Sequence, residues 1–327
     1  MRSNAYRSAG VDIDAGNRAV DLMREAVRST YGPEVLAGIG AFGGLFDAAR
    51  LQQMKHPVLV ASTDGVGTKT RVATALNRVE GLGEDIVNHC INDILVQGAR
   101  PLFFLDYVAA PKLDPEVIAR IVGGAAQACR AAGCALLGGE TAEMPGVYAP
   151  GEIDLVGTIV GWVERERIVD GSSVEPGDLV LGLASSGLHT NGYSLARRVF
   201  ADVPWDTVFP ELGSSLGDAL LVPHRSYLPA VEALWAAGVE IKAMAHITGG
   251  GIFENIPRVL PAGVGVRLIQ QRGAIEEQEM YRVFNMGIGL VLIIPPGQVG
   301  RAREALPEAR VIGEAVAWAG SGARVLL

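Results

Sequence analysis

Three acidic residues stand among small ones in a way that could serve a metal-assisted reaction. Asp64 follows the apolar run Pro57-Val58-Leu59-Val60-Ala61-Ser62 and leads into Gly65-Val66-Gly67-Thr68-Lys69; Asp93 opens Asp93-Ile94-Leu95-Val96-Gln97-Gly98-Ala99-Arg100-Pro101; Glu140 sits between Gly138-Gly139 and Thr141. A few carboxylates with no bulky neighbours suit Mg²⁺, a hard cation that keeps several waters and shares its other positions with triphosphate oxygens. Taken singly, each also fits a helix cap or a turn, where acidic residues are common. Lys69 offers phosphate a point charge, or is an exposed lysine at a helix start. Gly65 to Thr70 looks like a clipped P-loop with the wrong spacing, and neither GxxxxGK[ST] nor a strand-linked GxGxxG occurs, so nucleotide binding would need another device.

The five histidines sort by context. His189, in Ser185-Ser186-Gly187-Leu188-His189-Thr190-Asn191-Gly192, has a near-neutral pKa suited to moving a proton or binding phosphate; the alternative is a histidine satisfied by an Asn-Gly turn. His246 precedes Thr248-Gly249-Gly250-Gly251, whose N–H groups could meet a phosphate. His56 and His224 read as surface residues. His89 and Cys90 are adjacent on a helical pattern and so point apart, which argues against zinc and leaves the cysteines to core packing.

These residues need a scaffold that brings distant segments together. Helical spacing predicts helices over 18–30, 84–98 and 115–132, the last capped by Gly133. Apolar runs predict strands at 57–62, 102–108, 135–137 and 153–163, with a loop over 138–151. After the turn-rich Val174-Glu175-Pro176-Gly177-Asp178 come strands near 179–183, 263–268, 287–294 and 311–317, and helices at 194–200, 227–237 and 298–306. The rhythm implies an α/β (α+β) class with two domains, 1–168 and 169–327, each a mixed sheet layered with helices.

Composition narrows the partners. With 49% hydrophobic and 20% charged residues the chain reads as an ordinary globular protein. A formal charge of −8 with scattered basic residues argues against nucleic acid. No apolar run is long enough to span a membrane, and three cysteines without CxxC spacing favour a reducing compartment, so the expected location is the cytoplasm.

Taken together, the motifs are more specific. Asp93-x4-Gly98-Ala99-x-Pro101 resembles the D-x4-G-A-x-P signature of an ATP-binding superfamily that includes selenophosphate synthetase, thiamine-monophosphate kinase and a hydrogenase maturation factor. Gly10 to Asn17, Thr63 to Lys69, Pro101 to Tyr107, Gly138 to Gly146, Asn191 to Leu195, His246 to Gly251 and Phe284 to Gly287 resemble, in order, the blocks of the aminoimidazole ribonucleotide synthetase family. The resemblance implies ATP-dependent cyclisation of formylglycinamidine ribonucleotide through an iminophosphate, with ATP and Mg²⁺ required. It implies Asp64, Asp93 and Glu140 as metal ligands and Lys69, His189 and His246 as catalytic groups. It adds Gly40, Gly43, Thr63, Gly65, Gly67, Thr68, Gly139, Thr141, Asn191, Gly249 and Gly250 as nucleotide-binding positions, and a homodimer whose first-domain sheets close a β-barrel. The chain departs from the family at Arg24, at His224 and in a shortened stretch over 263–275. Two rivals are a sister kinase or synthetase and a non-catalytic nucleotide-binding dimer.

Overall fold

The computed structural model describes residues 10–268, 281 and 284–326. It is a mixed α/β structure with two main sheets. After the small pair β1 (Val35–Ala37) and β2 (Leu45–Phe46), strands β3 (Pro57–Gly65), β4 (Arg100–Ala110), β5 (Ala135–Glu143) and β6 (Asp154–Glu164) form a sheet in the order β3-β6-β4-β5. The β4–β5 pair is parallel, so it needs a crossover, supplied by the helix Pro115–Ala132. That helix has legible ends: Asp114 accepts from the N–H groups of Glu116 and Val117, and Gly133 closes it at φ 64°.

Alternation along β3 sorts its side chains. Val58 and Val60 pack into the core, whereas Leu59 is 62% exposed and Ala61 and Thr63 share its open side. The helix Glu80–Leu95 covers the inner face closely. A Cβ at Gly157 on β6 would come within 2.1 Å of the Phe104 ring and 2.7 Å of Ile86.

The second sheet takes β7 (Leu179–Ala184), then, past the two-residue strands β8 (Val208–Phe209) and β9 (Ser214–Ser215), β10 (Ala243–His246), β11 (Val264–Leu268), β12 (Ile288–Ile294), β13 (Arg310–Ala317) and β14 (Val325–Leu326), in the order β10-β12-β7-β13-β11-β14. Both of its faces are buried. Leu181, Leu183, Leu290 and Leu292 join the same core as the 80–95 helix, while Val180, Ala243, Val291 and Ile293 build another with Ile252 and Ile256. One hydrophobic core thus holds the 80–95 helix against elements of both sheets.

The differences from the sequence reading bear on the site. The first helix begins at Ile13 because Asp12 caps it. Strand β5 runs on through Gly138-Gly139 to Glu143, so Glu140 lies on a strand and not in a loop. The four-residue β10 and the short helices Lys69–Ala75 and Leu216–Leu221 carry too little periodicity to read. Of the shortened stretch, residues 264–268 form β11 and 269–275 lie outside the described residues. Among the described residues no helix is long and apolar enough to cross a membrane.

Candidate active site

Four chain segments converge at one end of the 80–95 helix. Strand β3 delivers Ser62 and Asp64; the helix presents His89 and Asp93 one turn apart on one face; the loop after β7 brings His189 and Thr190; β10 ends in His246. A fifth segment, 222–227, is tied to the helix. Asn88 Nδ2 donates to the His224 carbonyl at 2.7 Å, Asn92 Nδ2 donates to the Arg225 carbonyl at 2.8 Å, and the Tyr227 N–H donates to Asn92 Oδ1 at 2.9 Å. Four of the chain's five histidines thereby meet in one cluster.

The contacts form a continuous polar chain. His89 Nε2 lies 3.0 Å from Asp64 Oδ2 and 3.6 Å from Asp93 Oδ2, an ion-pair contact without hydrogen-bond alignment. His89 Nδ1 meets Thr190 Oγ1 at 2.7 Å, Thr190 Oγ1 lies 3.4 Å from His224 Nδ1, His224 Nε2 is 3.0 Å from His246 Nε2, and His246 Nδ1 is 2.8 Å from Asp93 Oδ1. Ser62 Oγ donates to Asp93 Oδ2 at 3.1 Å. The carboxylates form the mouth, Asp64 with 46% of its side chain exposed and Asp93 with 24%. The imidazoles form the floor.

Burial and charge divide the histidines. Burial opposes charging His89, but Asp64 and Asp93 outweigh it and raise its pKa. Burial likewise opposes ionising Asp64, and His89 still holds that carboxyl below its ordinary range. Burial lowers His246 despite Asp93, and drives His224 well below its usual value with help from the neighbouring imidazoles and Lys69. His189 is pushed down to about 3, chiefly by burial. It adopts φ 60°, sparsely populated for a residue with a side chain, and the turn lets its Nε2 accept the Ser186 N–H at 3.1 Å. Its Nδ1 is buried, with no hydrogen-bond partner among the described residues.

Several expected site residues lie elsewhere. Lys69 is a correction: it is 1% exposed, and its ammonium donates to Asp85 Oδ1 at 2.8 Å and to the Val222 carbonyl at 2.7 Å, so its charge is committed inside the protein. His224 is another, at 1% exposure, because the helix asparagines draw its segment inward; His56 is exposed as expected. Glu140 does not join the two aspartates within the chain. It sits on β5, with β4 and β6 between it and β3, and lines a cavity of roughly 640 Å³ with Gly40, Gly43, Gly139 and Thr141. Thr63 Oγ1 pairs with Thr158 Oγ1 at 2.7 Å on the open side of the sheet. Near the mouth, Gly67 approaches the Thr190 carbonyl, Thr68 Oγ1 meets Ser194 Oγ at 3.1 Å, and Gly249 lies beside Asn191 Oδ1. Gly65 ends β3, and Gly250, at φ 91°, starts the turn into the helix Gly251–Asn255. His89 and Thr190 are site residues the sequence reading missed; the i, i+4 spacing of His89 and Asp93 was the available signal.

Comparison with known proteins gives the chain its relatives. Residues 46–163 match the family model described as AIR synthase related protein, N-terminal domain, and residues 175–325 match AIR synthase related protein, C-terminal domain. A phosphoribosylformylglycinamidine cyclo-ligase of Desulfitobacterium hafniense is 54% identical over 308 residues, 90% of each chain. That of Geobacillus thermodenitrificans is 51% identical over 336 residues, 97% of this chain and 96% of its own. Among solved structures, thiamine-monophosphate kinase from Stenotrophomonas maltophilia superposes with a TM-score of 0.67 at 19% identity, covering 94% and 95% of the two chains. The hydrogenase maturation protein HypE in complex with ATP gives 0.67 at 18% identity, covering 94% and 88%. These structural likenesses establish a shared fold.

Proposed function

The chain belongs to the phosphoribosylformylglycinamidine cyclo-ligase family, a family of ligases of purine biosynthesis, and from that premise we propose that it converts formylglycinamidine ribonucleotide and ATP to aminoimidazole ribonucleotide, ADP and phosphate. The chemical problem is an amide oxygen, a poor leaving group. The formyl oxygen attacks the γ-phosphorus as the bond to ADP breaks, and the amide N–H proton leaves to water, giving an iminophosphate. The amidine nitrogen then attacks the activated carbon, the C–O bond breaks and phosphate leaves. Such transfer asks the protein mainly to position groups and to balance charge.

The observation that carries this reading is the meeting of Asp64 and Asp93, from separate stretches of chain, at a mouth open to solvent. Their oxygen donors and partial exposure fit Mg²⁺, which prefers oxygen ligands and keeps water. When bound, the ion neutralises triphosphate charge and polarises the γ-phosphoryl group. His89 and His246 act as anchors that hold these carboxylates. His189, its Nε2 already accepting from Ser186, carries its hydrogen on buried Nδ1 and serves the floor by stacking on His224. With the other imidazoles committed to protein partners, the departing phosphate takes the proton shed by the attacking nitrogen.

The remaining roles divide by place. Gly40, Gly43, Gly139 and Thr141, which line the cavity beside Glu140, are assigned to the nucleotide, as are Thr63, Gly65, Gly67, Thr68, Asn191, Gly249 and Gly250. We assign the two sheets to domains 1–168 and 169–327, and place the enzyme in the cytoplasm. The open sheet face around Leu59, with unpaired edges at β3 and β5, supports a homodimer that closes a β-barrel. A second copy setting its β5 beside β3 brings its Glu140 to Asp64 and Asp93, completing the metal set. Mixing inactive Asp64→Ala and Glu140→Ala dimers then restores up to a quarter of the activity.

A coupled ADP-release assay tests the function. ADP should appear only when formylglycinamidine ribonucleotide is present and should disappear with Asp93→Ala. ATP binding without turnover would favour a non-catalytic dimer, and ADP release without the acceptor would reject the cyclisation.

A further inference from the structure

Hydrogen-bond order through the floor gives His224 a task of its own. The Asp93 carboxylate only accepts, so His246 Nδ1, 2.8 Å from Oδ1, must donate to it. A neutral His246 then has its lone pair at Nε2, 3.0 Å from His224 Nε2, which must carry the hydrogen between them. His224 Nδ1 is left as an acceptor facing the Thr190 hydroxyl at 3.4 Å, and Thr190 Oγ1 takes the Nδ1–H of His89 at 2.7 Å. Each of these links has one donor and one acceptor, with no clash of protons.

We infer that His224 is a positioning residue: by donating its Nε2–H to the lone pair of His246 it holds that ring in the orientation that grips Asp93, and so aims the carboxylate into the mouth.

The ring is built to stay in place. Its backbone N–H donates to buried Asp85 Oδ1 at 2.7 Å, its carbonyl accepts from Asn88 at 2.7 Å, and its imidazole stacks on His189 with centroids 4.0 Å apart and planes 21° from parallel. The same stacking separates this role from a transition-metal site. His189, His224 and His246 bring nitrogen atoms within 4.8 Å of one another, but nearly parallel stacked rings aim their in-plane lone pairs side by side and not at one shared ion. A histidine ordered by a second group, which in turn orders a ligand, is the usual way an outer residue acts on a metal site.

The inference rests on Asp93 being a site carboxylate, so its test reads the tautomer first and turnover second. In full-length protein labelled with ¹⁵N-histidine and free of nucleotide, long-range ¹H–¹⁵N spectra should show His246 protonated at Nδ1 and bare at Nε2. In His224→Phe the Nε2 lone pair loses its donor, so the His246 Nδ1–H signal should shift and broaden as the ring loses its fixed orientation on Asp93, and in His224→Gln, whose amide can donate to the same nitrogen, it should return. Turnover should fall roughly 10-fold in the Phe variant and recover in the Gln variant, with the thermal midpoint serving as the folding control. A His246 Nδ1–H signal unchanged in position and width in a folded Phe variant overturns the inference; so does a Gln variant whose His246 signal matches that of the Phe variant. Because the spectra need no substrate, they stand whether or not cyclisation is the reaction.

Discussion

The mouth and the floor of the site lie a few ångströms apart and are held by opposite electrostatics. His89 and His246 have nearly equal side-chain exposure, 4% and 3%, yet the first is raised and the second lowered. His89 faces two carboxylates, whereas His246 shares Asp93 with it and lies against other imidazoles. Burial by itself therefore does not decide the direction of the shift here; the close contact of Asp64 with His89, and the repulsion of His246 by His89, do. The mouth gathers charge that a cation and a triphosphate can use, and the floor is neutral and rigid. Beneath the floor, the buried Lys69–Asp85 pair supports the 222–225 segment through the Val222 carbonyl and the His224 N–H.

The sharpest way to break the comparison is to disturb that support. Burial pushes the Lys69 ammonium down and the Asp85 carboxyl up, so the pair adds less stability than its 2.8 Å contact implies. Removing one member is different, because it strands the other. Lys69→Met should cost about 3–5 kcal/mol in urea unfolding, and adding Asp85→Asn should recover part of it. A surface lysine that bound phosphate would instead show a change in nucleotide affinity with stability unchanged.

At the mouth the balance should reverse. Asp64→Asn keeps shape but removes the charge that a metal would need. ADP release should fall about 10²–10³-fold, the scale for losing one electrostatic contact to a transition state. The thermal midpoint should barely move, since nearly half of the side chain faces water. A variant that loses stability in step with activity would make Asp64 part of the floor.

Acid and base should tell the two regions apart. His189 has a folded pKa of about 3 against an ordinary 6.5, so the unfolded chain binds the proton first and stability is lost as pH falls from about 6.5 toward 3. His89 is raised above 6.5, so its contribution is complete below that value and is lost as pH rises through the folded value. One proton changes stability by at most about 1.4 kcal/mol per pH unit. His189→Asn should flatten the acid limb of a stability–pH profile, and His89→Gln the limb above pH 6.5. The same response in both variants would remove the distinction.

How much of this could be read from residues alone depended on the range of the interaction. The helix Pro115–Ala132 was legible because its cap, its apolar stripe and its closing glycine are local. Asp64 and Asp93 stood out because small neighbours and strand or helix ends mark them. His224 was not legible: its burial is imposed by Asn88 and Asn92, more than a hundred residues earlier in the chain. Lys69 misled for the same reason, since its partner Asp85 lies on another helix and leaves no pattern around residue 69. The separation of Glu140 from the aspartates follows from the strand order β3-β6-β4-β5, a topological fact that spacing along the chain does not encode.

The smallest expected effect is the finest probe of the boundary between the two regions. Ser62 belongs to β3, half-buried, and its hydroxyl donates to Asp93 Oδ2 while His246 holds Oδ1. Asp93 is thus gripped from the mouth by one neutral donor and from the floor by the other. Ser62→Ala removes the first grip and should cost about 1 kcal/mol, since Asp93 stays partly solvated and water can replace the hydroxyl. If the floor sets the orientation of the carboxylate, the variant should lose no more than about fivefold in turnover, the rate equivalent of that energy. A loss as large as that of Asp64→Asn would mean that the mouth orients itself, and the histidines beneath would then serve packing alone.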